Sequence, residues 1–198
     1  MVTIILLRHG ETAYNANGNQ YCGRTDIALT AKGIGQAKRM RHLLEGYRFD
    51  AVCCSPLMRA RQTAEIASEA VHDLQLDNRL MEIDFGLWEG KPASEFIDED
   101  PQTWENWLQS PEDYAAGKIG ETGRQVIDRV KSFYDDILER YDGKTVLIVG
   151  HNGINRLFLA YQLGMPLANY RRIVQENAAL TLFTMDKGAG FSLLKLNA

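Results

Sequence analysis

The chain has 198 residues, of which 45% are hydrophobic and 24% charged, and its formal net charge is −4. This composition is typical of one folded globular domain and excludes a long disordered chain. The negative net charge does not indicate a surface that binds nucleic acid. No apolar run approaches the roughly 18 residues that a membrane span needs. We therefore expect a single domain over residues 1–198 that binds neither nucleic acid nor a membrane. The sequence gives no basis for predicting whether the protein is a monomer or an oligomer.

The cysteines and the first residues indicate the compartment. Three cysteines cannot all pair with one another, and Cys53 and Cys54 are adjacent inside an apolar run, which is typical of reduced thiols in a buried strand. The apolar run from Val2 to Leu7 is shorter than the core of a secretion signal and ends at Arg8. These features favour a cytoplasmic protein.

Five segments have the composition of strands. The first three are short and apolar throughout, which is typical of strands buried on both faces. The last two flank a glycine-containing turn and predict a hairpin. The predicted strands are Thr3–Leu7, Asp50–Cys54, Thr145–Gly150, Leu180–Met185 and Phe191–Leu196.

Helical patterns alternate with these strands. Apolar residues recur every three or four positions, and capping or helix-stopping residues stand at the ends. The predicted helices are Ala31–Glu45, one that begins at Ser55 and Pro56, Thr122–Arg140 and Gly153–Gly164. Alternating strands and helices predict an α/β fold, a three-layer sandwich in which a mostly parallel sheet has helices on both faces.

The stretch from Glu82 to Glu121 departs from this alternation. It contains eleven Asp or Glu residues and two Lys, a local charge of −9, together with all three tryptophans. Two interpretations are equally favoured. The stretch is either a small acidic lid insertion over the sheet, at about residues 83–121, or a solvated acidic face.

Two histidines follow predicted buried strands. Arg8 and His9 end the first strand in the sequence LRHGET, and His151 ends the third in VGHNG, where a helix start favours an anion. Ligands of open α/β sheets bind at the carboxyl ends of the strands. Alone, the first motif is explained more readily by a capping histidine and a surface arginine. Together, the two motifs can bring two imidazoles close to each other.

Two further motifs add charged groups to the same end of the sheet. Arg59 lies in the first turns of the helix after the second strand, and its fork of N–H groups suits a phosphate. Glu82 lies in a glycine-containing loop, where a carboxyl group beside a basic pocket can act as a general acid. A salt bridge to Arg79 is the alternative for Glu82, and Asp84 and Glu89 are weaker candidates for the same role.

The combined set suits phosphoryl transfer to a side chain without a metal. A neutral imidazole can attack phosphorus, cations can bind the phosphate oxygens, and a carboxyl group can protonate the leaving group. The sequence contains no nucleotide P-loop and no dinucleotide fingerprint. Its four histidines, His9, His42, His72 and His151, show no metal-ligand spacing. We therefore expect neither a metal nor a cofactor.

These motifs, in this order along nearly the whole chain, resemble the histidine phosphatase superfamily, also called phosphoglycerate mutase-like. The resemblance implies that His9 is the phosphorylated nucleophile and that Glu82 is the proton donor. It also implies that Arg8, Arg59 and His151 surround the phosphate.

Further matches to the family concern substrate binding. Asn15 matches the motif Glu-Thr-x-x-Asn and by resemblance contacts a phosphate oxygen, while Gly23 and Arg24 match a loop that often borders the substrate. Asn152, a further candidate for substrate binding, stands where many members have glycine, so the backbone after His151 is less free.

The predicted function is hydrolysis of a small phosphorylated metabolite through a phosphohistidine, without a metal. A cofactor-dependent phosphoglycerate mutase is the alternative. It is less favoured because Glu82 is followed by Ile83, Asp84 and Phe85 rather than by the basic and aromatic residues of mutases. A catalytically inactive phosphate-binding module is a third possibility. Phosphoserine, α-ribazole phosphate and small sugar phosphates all fit, and an acidic lid is expected to disfavour a second phosphate on the substrate.

Overall fold

The computed structural model describes residues 1–69, 73–188 and 190–198. One sheet contains six strands: β1 (Val2–Arg8), β2 (Ala51–Cys54), β3 (Leu74–Leu76), β4 (Thr145–Gly150), β5 (Leu180–Asp186) and β6 (Gly190–Lys195). Their order across the sheet is β3-β2-β4-β1-β5-β6. β1 to β4 are mutually parallel, and β5 and β6 are antiparallel additions at one edge. All five predicted strands are confirmed, and β3 was missed because its three residues are too short for a pattern.

Seven helices connect the strands in the described part of the chain: α1 (Ala13–Ala16), α2 (Ala31–Leu43), α3 (Met58–Ala67), α4 (Ala93–Glu99), α5 (Pro101–Gln109), α6 (Gly123–Arg140) and α7 (Asn152–Gln162). Short 3-10 turns lie at Asn78–Leu80, Gly86–Trp88 and Leu167–Arg172. None of the helices that the structure describes is long and apolar enough to cross a membrane.

The predicted start of the helix after β2 was wrong. Helix α3 begins at Met58, with Leu57 in an extended conformation as its N-cap residue. The Ser55 hydroxyl accepts a hydrogen bond from the Leu57 N–H at 3.3 Å. Ser55 therefore stabilises the turn that precedes the helix, and Pro56 lies in that turn.

Both faces of the sheet are buried, because successive residues of a strand point to opposite sides. Ile4 and Leu6 of β1 pack on one side with α6 and α7, while Ile5 and Leu7 pack on the other with α2 and α3. Each side has its own hydrophobic core. Helices therefore cover both faces, and the predicted three-layer α/β sandwich is confirmed.

The longest helix shows how local sequence fixes these elements. Thr122 and Gln125 form a reciprocal capping box at the start of α6, which satisfies backbone N–H groups that a helix start leaves free. Val126, Val130 and Phe133 then bury one stripe of the helix against the sheet.

The acidic stretch at residues 82–121 packs into the larger core. Trp107 and Phe96 are almost completely buried, and Trp88 stacks on Phe96 with ring centroids 4.8 Å apart. Many of its acids form ion pairs: Glu95 and Glu99 with Lys91, Asp100 with Lys118, Asp113 with Arg124, and Glu121 with Arg24 and Arg129. The stretch is part of the folded body, and its action as a lid stays a prediction.

The sheet brings the two strand-end histidines together. β1 and β4 are adjacent and parallel, with Arg8 opposite Gly150. The His9 N–H continues the ladder by donating to the Gly150 carbonyl at 3.1 Å. Two residues named in the sequence predictions, His72 among the histidines and Ala189 in the hairpin turn, lie outside the described residues.

Candidate active site

The two histidine rings lie side by side at the carboxyl ends of β1 and β4. Their centroids are 5.1 Å apart, and both residues are buried. The His9 Nδ1 lies 2.7 Å from the Gly10 carbonyl oxygen. Because a carbonyl oxygen only accepts hydrogen bonds, Nδ1 carries the proton of the neutral ring, which leaves the lone pair on Nε2.

His151 has the opposite tautomer. The Arg59 Nε–H donates to the His151 Nδ1 at 3.2 Å, so the proton of the neutral ring is on Nε2. This Nε2 is buried and has no hydrogen-bond partner among the residues that the structure describes. The pair therefore offers one nucleophilic nitrogen and one N–H donor, which suits an anion under attack.

The surroundings keep both rings neutral. Burial, followed by the positive charges of Arg59 and Arg8, lowers the pKa of His9 well below its ordinary value. The pKa of His151 is lowered in the same direction, again mainly by burial and then by Arg59. Neither ring needs to lose a proton at neutral pH before it can attack or donate.

These lowered pKa values predict acid sensitivity of the fold. Below the unfolded value of about 6.5, the unfolded chain binds protons that the buried rings do not, so stability is lost as pH falls. We expect the unfolding free energy of the wild type to fall between pH 7 and 5 more steeply than that of His151→Gln, by up to about 1.4 kcal/mol per pH unit. Urea unfolding at each pH measures this. His42→Gln, at a mostly exposed histidine, is the control, and equal slopes for wild type and His151→Gln would contradict the pKa shift.

Arg8 contributes a positive charge and an N–H group that has no acceptor among the described residues. Its Nη1 donates to the Gln175 carbonyl at 2.7 Å, while its Nε is buried without a partner in the described part of the chain. Burial lowers the pKa of Arg8 to about 10, so the group stays protonated at neutral pH. An unpaired buried donor is costly unless a ligand accepts from it.

Most of the N–H groups of Arg59 donate to other groups of the protein. A guanidinium has five N–H groups. Besides the bond to His151, Nη2 donates to the carbonyls of Cys22 and Gly23. Nη1 donates to the Thr25 carbonyl. Arg59 thus keeps at most one N–H for a ligand, and it acts chiefly by orienting His151 and adding charge.

Asn15 presents its amide N–H₂ group to the cavity. Its Oδ1 accepts from the Thr12 backbone N–H at 3.1 Å and from the Asn177 Nδ2 at 3.2 Å. Because the oxygen is held in this way, Nδ2 is the atom left for a ligand. Asn15 can therefore donate to a phosphate oxygen, as the resemblance implies.

Glu82 is buried in the same cavity and is fixed by backbone donors. Its Oε1 accepts from the N–H groups of Ile83 and Ile154 at 2.9 and 3.0 Å. Its Oε2 accepts from the Gly153 N–H at 2.9 Å. The alternative of a salt bridge to Arg79 is wrong, since Arg79 pairs with Asp77 and Asp136.

Gly153 is required by this arrangement. A Cβ atom at Gly153 would lie 2.6 Å from the Glu82 Oε1 and 2.6 Å from the Ile83 Cδ1. We expect Gly153→Ala to displace Glu82, lower kcat by about tenfold to a hundredfold and cost about 1–3 kcal/mol of stability. Gly35→Ala is the matched control, because nothing lies within 4 Å of its Cβ. Steady-state kinetics and urea unfolding check both variants; an unchanged kcat in Gly153→Ala would contradict the assigned geometry.

The loop at Gly23 and Arg24 contacts other protein groups near the site. The Gly23 N–H donates to Glu89 at 3.0 Å, and its carbonyl accepts from Arg59 at 2.9 Å. Arg24 pairs with Glu121 at 3.1 Å. Neither residue lines the cavity in the described structure, so Gly23 holds Arg59 in place where the sequence predicted contact with substrate. The Glu89 carboxylate binds this loop and does not line the cavity either, which makes it a poorer candidate for the general acid than Glu82.

The cavity in front of His9 has a volume of about 340 Å³ and includes Asn152, whose buried Oδ1 has no partner among the described residues. The wall of the cavity also contains residues that the sequence motifs did not indicate, namely Tyr21, Arg156, Tyr170 and Arg171. Arg156 lies four residues after Asn152 and so shares its helix face, a spacing that could have revealed it. Cys22 also lines the cavity, and burial raises the pKa of its thiol to about 11, which disfavours a reactive thiolate.

Known proteins are similar to this chain in sequence and in fold. Residues 4–198 match the model of the histidine phosphatase superfamily, branch 1. The chain is 31% identical over 198 residues to phosphoserine phosphatase 1 of Hydrogenobacter thermophilus, which covers all of this chain and 92% of that protein. It is 35% identical to adenosylcobalamin/alpha-ribazole phosphatase of Escherichia coli, over 81% of this chain and 79% of that protein. The structure of phosphoserine phosphatase from Entamoeba histolytica in complex with 3-phosphoglyceric acid has a TM-score of 0.90 and 27% identity, covering 100% of this chain and 98% of that one.

The parallel sheet with its helices, matched across almost the whole chain, defines the class of protein. The chain belongs to the histidine phosphatase superfamily. It is a phosphoric monoester hydrolase, in keeping with its phosphatase relatives.

Proposed function

We propose that the protein hydrolyses small phosphomonoesters through a phosphohistidine at His9, without a metal. The observation that carries this proposal is the pair of opposite tautomers, with a lone pair on the His9 Nε2 and a proton on the His151 Nε2. The unpaired Arg8 Nε and the free Asn15 amide complete a set of donors for phosphate oxygens.

The first step transfers the phosphoryl group to the enzyme. The His9 Nε2 lone pair attacks phosphorus in line, an N–P bond forms, and the P–O bond to the leaving group breaks. Glu82 gives its proton to the departing oxygen. Arg8, Arg59 and His151 offset the charge on the phosphoryl oxygens.

The second step returns the enzyme to its starting state. Water attacks the phosphorus of phospho-His9 while the Glu82 carboxylate takes a proton from it. The N–P bond breaks, phosphate forms, and the His9 Nε2 regains its lone pair. Glu82 therefore ends the cycle protonated, ready for the next leaving group.

The donor set supports chemistry without a metal. Charge on the phosphate is met by guanidinium, imidazole and amide groups, which take the place that a metal ion fills in other phosphoryl transfer enzymes. Within residues 1–69, 73–188 and 190–198 there is no group of three or more His, Cys, Asp or Glu side chains placed to hold a metal ion.

The names of the two relatives described above give phosphoserine and α-ribazole phosphate as substrates, and both are small phosphomonoesters. A phosphate-release assay on such esters, with and without excess EDTA, tests the proposal. We expect turnover that EDTA leaves unchanged, and competition by vanadate, which resembles the group bound between the histidines and Arg8. Activity lost to EDTA and restored by Mg²⁺ would contradict the metal-free mechanism. Isomerisation of 3-phosphoglycerate that depends on a bisphosphate, with little phosphate release, would support the mutase alternative.

A further inference from the structure

Two arginines in the cavity wall have no part in the proposed chemistry. Arg156 lies on α7 and Arg171 lies in the 3-10 turn at Leu167–Arg172, and both line the cavity that contains His9. Neither forms a salt bridge with any residue that the structure describes. Arg156 is half-buried and Arg171 is exposed at the mouth of the cavity. Both present positive charge to the cavity without a carboxylate partner among the described residues, and a guanidinium binds an incoming carboxylate or phosphate through paired, charge-assisted hydrogen bonds.

Arg156 is held in place yet keeps its terminal donors free. Its Nε donates to the Tyr170 carbonyl at 3.4 Å, and its guanidinium lies 5.1 Å from the centroid of the Tyr170 ring. No acceptor lies within hydrogen-bonding distance of its Nη groups in the described part of the chain. Side chains on a helix tilt toward its N-terminus, so Arg156 leans back toward Asn152 and the strand ends.

Arg171 is fixed by aromatic groups at the cavity mouth. Its two Nη groups donate to the Tyr21 hydroxyl at 3.1 and 3.2 Å, and its guanidinium lies 4.7 Å from the centroid of the Trp104 ring. These contacts orient the group and leave its positive charge without a carboxylate partner. A guanidinium fixed in this way loses little entropy when it binds an anion.

The charges that line the cavity favour a second anion. Arg8, Arg156 and Arg171 face it, while Glu82 is the one carboxyl group in the lining that the structure describes. The other acids of residues 82–121 do not line it, and many pair with lysines and arginines elsewhere. The expectation that an acidic lid disfavours a second phosphate on the substrate stays a prediction, while the lining residues themselves carry more positive than negative charge.

We propose that Arg156 and Arg171 bind a carboxylate on the leaving group, so that the substrates are phosphate esters of small hydroxy acids or hydroxy amino acids. The inference rests on the proposed phosphatase mechanism, since it names the substrate class of the same cavity. A planar carboxylate matches the fork of a guanidinium. It also fits a cavity of about 340 Å³, near the lower limit of ligand pockets, that must hold a phosphoryl group as well.

The test compares two esters that differ in the carboxylate. 3-Phosphoglycerate has a carboxylate where glycerol 3-phosphate has a neutral hydroxymethyl group. We expect the wild type to prefer 3-phosphoglycerate in kcat/KM by about tenfold to a hundredfold, mainly through KM, because charge-assisted hydrogen bonds are lost with the other ester. The preference should fall as salt is added, since the mouth of the cavity meets solvent.

Substitutions of Arg156 and Arg171 test whether these two residues cause the preference for 3-phosphoglycerate. Arg156→Gln and Arg171→Gln should each reduce the ratio of kcat/KM between the two esters by about threefold to tenfold, and Arg156→Lys should retain more of the ratio than Arg156→Gln does. Arg172→Gln is the matched control, because Arg172 is exposed, adjacent in sequence and absent from the cavity lining. It should leave the ratio unchanged.

The outcomes separate the two proposals. Equal kcat/KM for the two esters in the wild type, or a ratio that both glutamine variants leave unchanged, would overturn the carboxylate subsite. The phosphatase mechanism would survive either result if both esters release phosphate through phospho-His9. Absence of phosphate release from both esters and from p-nitrophenyl phosphate would instead overturn the proposed function.

Discussion

His9→Ala should lose essentially all turnover, by about 10⁴–10⁶-fold in kcat, the loss typical when the nucleophile of a covalent mechanism is removed. The methyl group of alanine has no lone pair to form the N–P bond. Among the described residues that line the cavity or contact His9, the other imidazole is that of His151, whose Nδ1 lone pair accepts from Arg59 and whose Nε2 carries a proton. Steady-state phosphate release measures the effect. His42→Ala, at a mostly exposed histidine, should retain wild-type turnover.

Loss of activity must be separated from loss of fold. His9 makes one side-chain hydrogen bond, from its Nδ1 to the Gly10 carbonyl, so the variant should unfold cooperatively near the wild-type midpoint. It should also still bind vanadate or phosphate, because Arg8 and Asn15 remain. Substantial turnover in folded His9→Ala would mean that another side chain is the nucleophile.

Glu82→Gln should slow release of a poor leaving group far more than release of a good one. An alkyl phosphate releases an alkoxide that must be protonated, whereas p-nitrophenyl phosphate releases a stable phenolate. General-acid help is typically about 10²–10⁴-fold, so phosphorylation of the enzyme by an alkyl phosphate should slow by about that factor. Single-turnover kinetics measure this step directly and exclude the second step, which also uses Glu82.

The contacts of Glu82 explain why the two leaving groups must be compared with each other, since the substitution can also slow both substrates through a loss of stability. Both of its oxygens accept backbone N–H groups, so the amide nitrogen of glutamine must face one donor, and the variant loses some stability for that reason alone. Such a loss slows both substrates alike. Asp84→Asn, at a carboxylate that accepts from the Gly86 N–H and does not line the cavity, is the control. Equal slowing of both leaving groups in Glu82→Gln would contradict the general acid.

Sequence predicted the parts of the fold that depend on local pattern. Short apolar runs identified β1 and β4, and the residues after them are the two histidines that the parallel ladder brings together. The carboxyl ends of neighbouring parallel strands lie at the same edge of a sheet, so residues that follow those strands meet there. The start of α3 was predicted wrongly because Ser55 and Pro56 also suit the turn that precedes a helix.

Other parts of the site depend on contacts between segments far apart in sequence. Gly23 was expected at the substrate, yet its N–H binds Glu89 and its carbonyl binds Arg59, partners that no local pattern specifies. Arg171 belongs to no motif, and contacts with Tyr21 and Trp104, which are far from it in sequence, place it at the cavity. The charge counted along the acidic stretch likewise does not show where its carboxylates lie: Asp113 and Glu121 pair with arginines outside the stretch, and Glu82 is the carboxylate among its described residues that lines the cavity.

The phosphoryl group on the enzyme tests the central claim most directly. The wild type should be mixed with excess substrate, quenched in alkali within one turnover and examined by ³¹P NMR and mass spectrometry of its peptides. Nδ1 of His9 is engaged with the Gly10 carbonyl, so we expect one phosphate per chain on the Nε2 of His9, and none in His9→Ala. Phosphate on His151, on a serine or on no residue during steady turnover would contradict the mechanism.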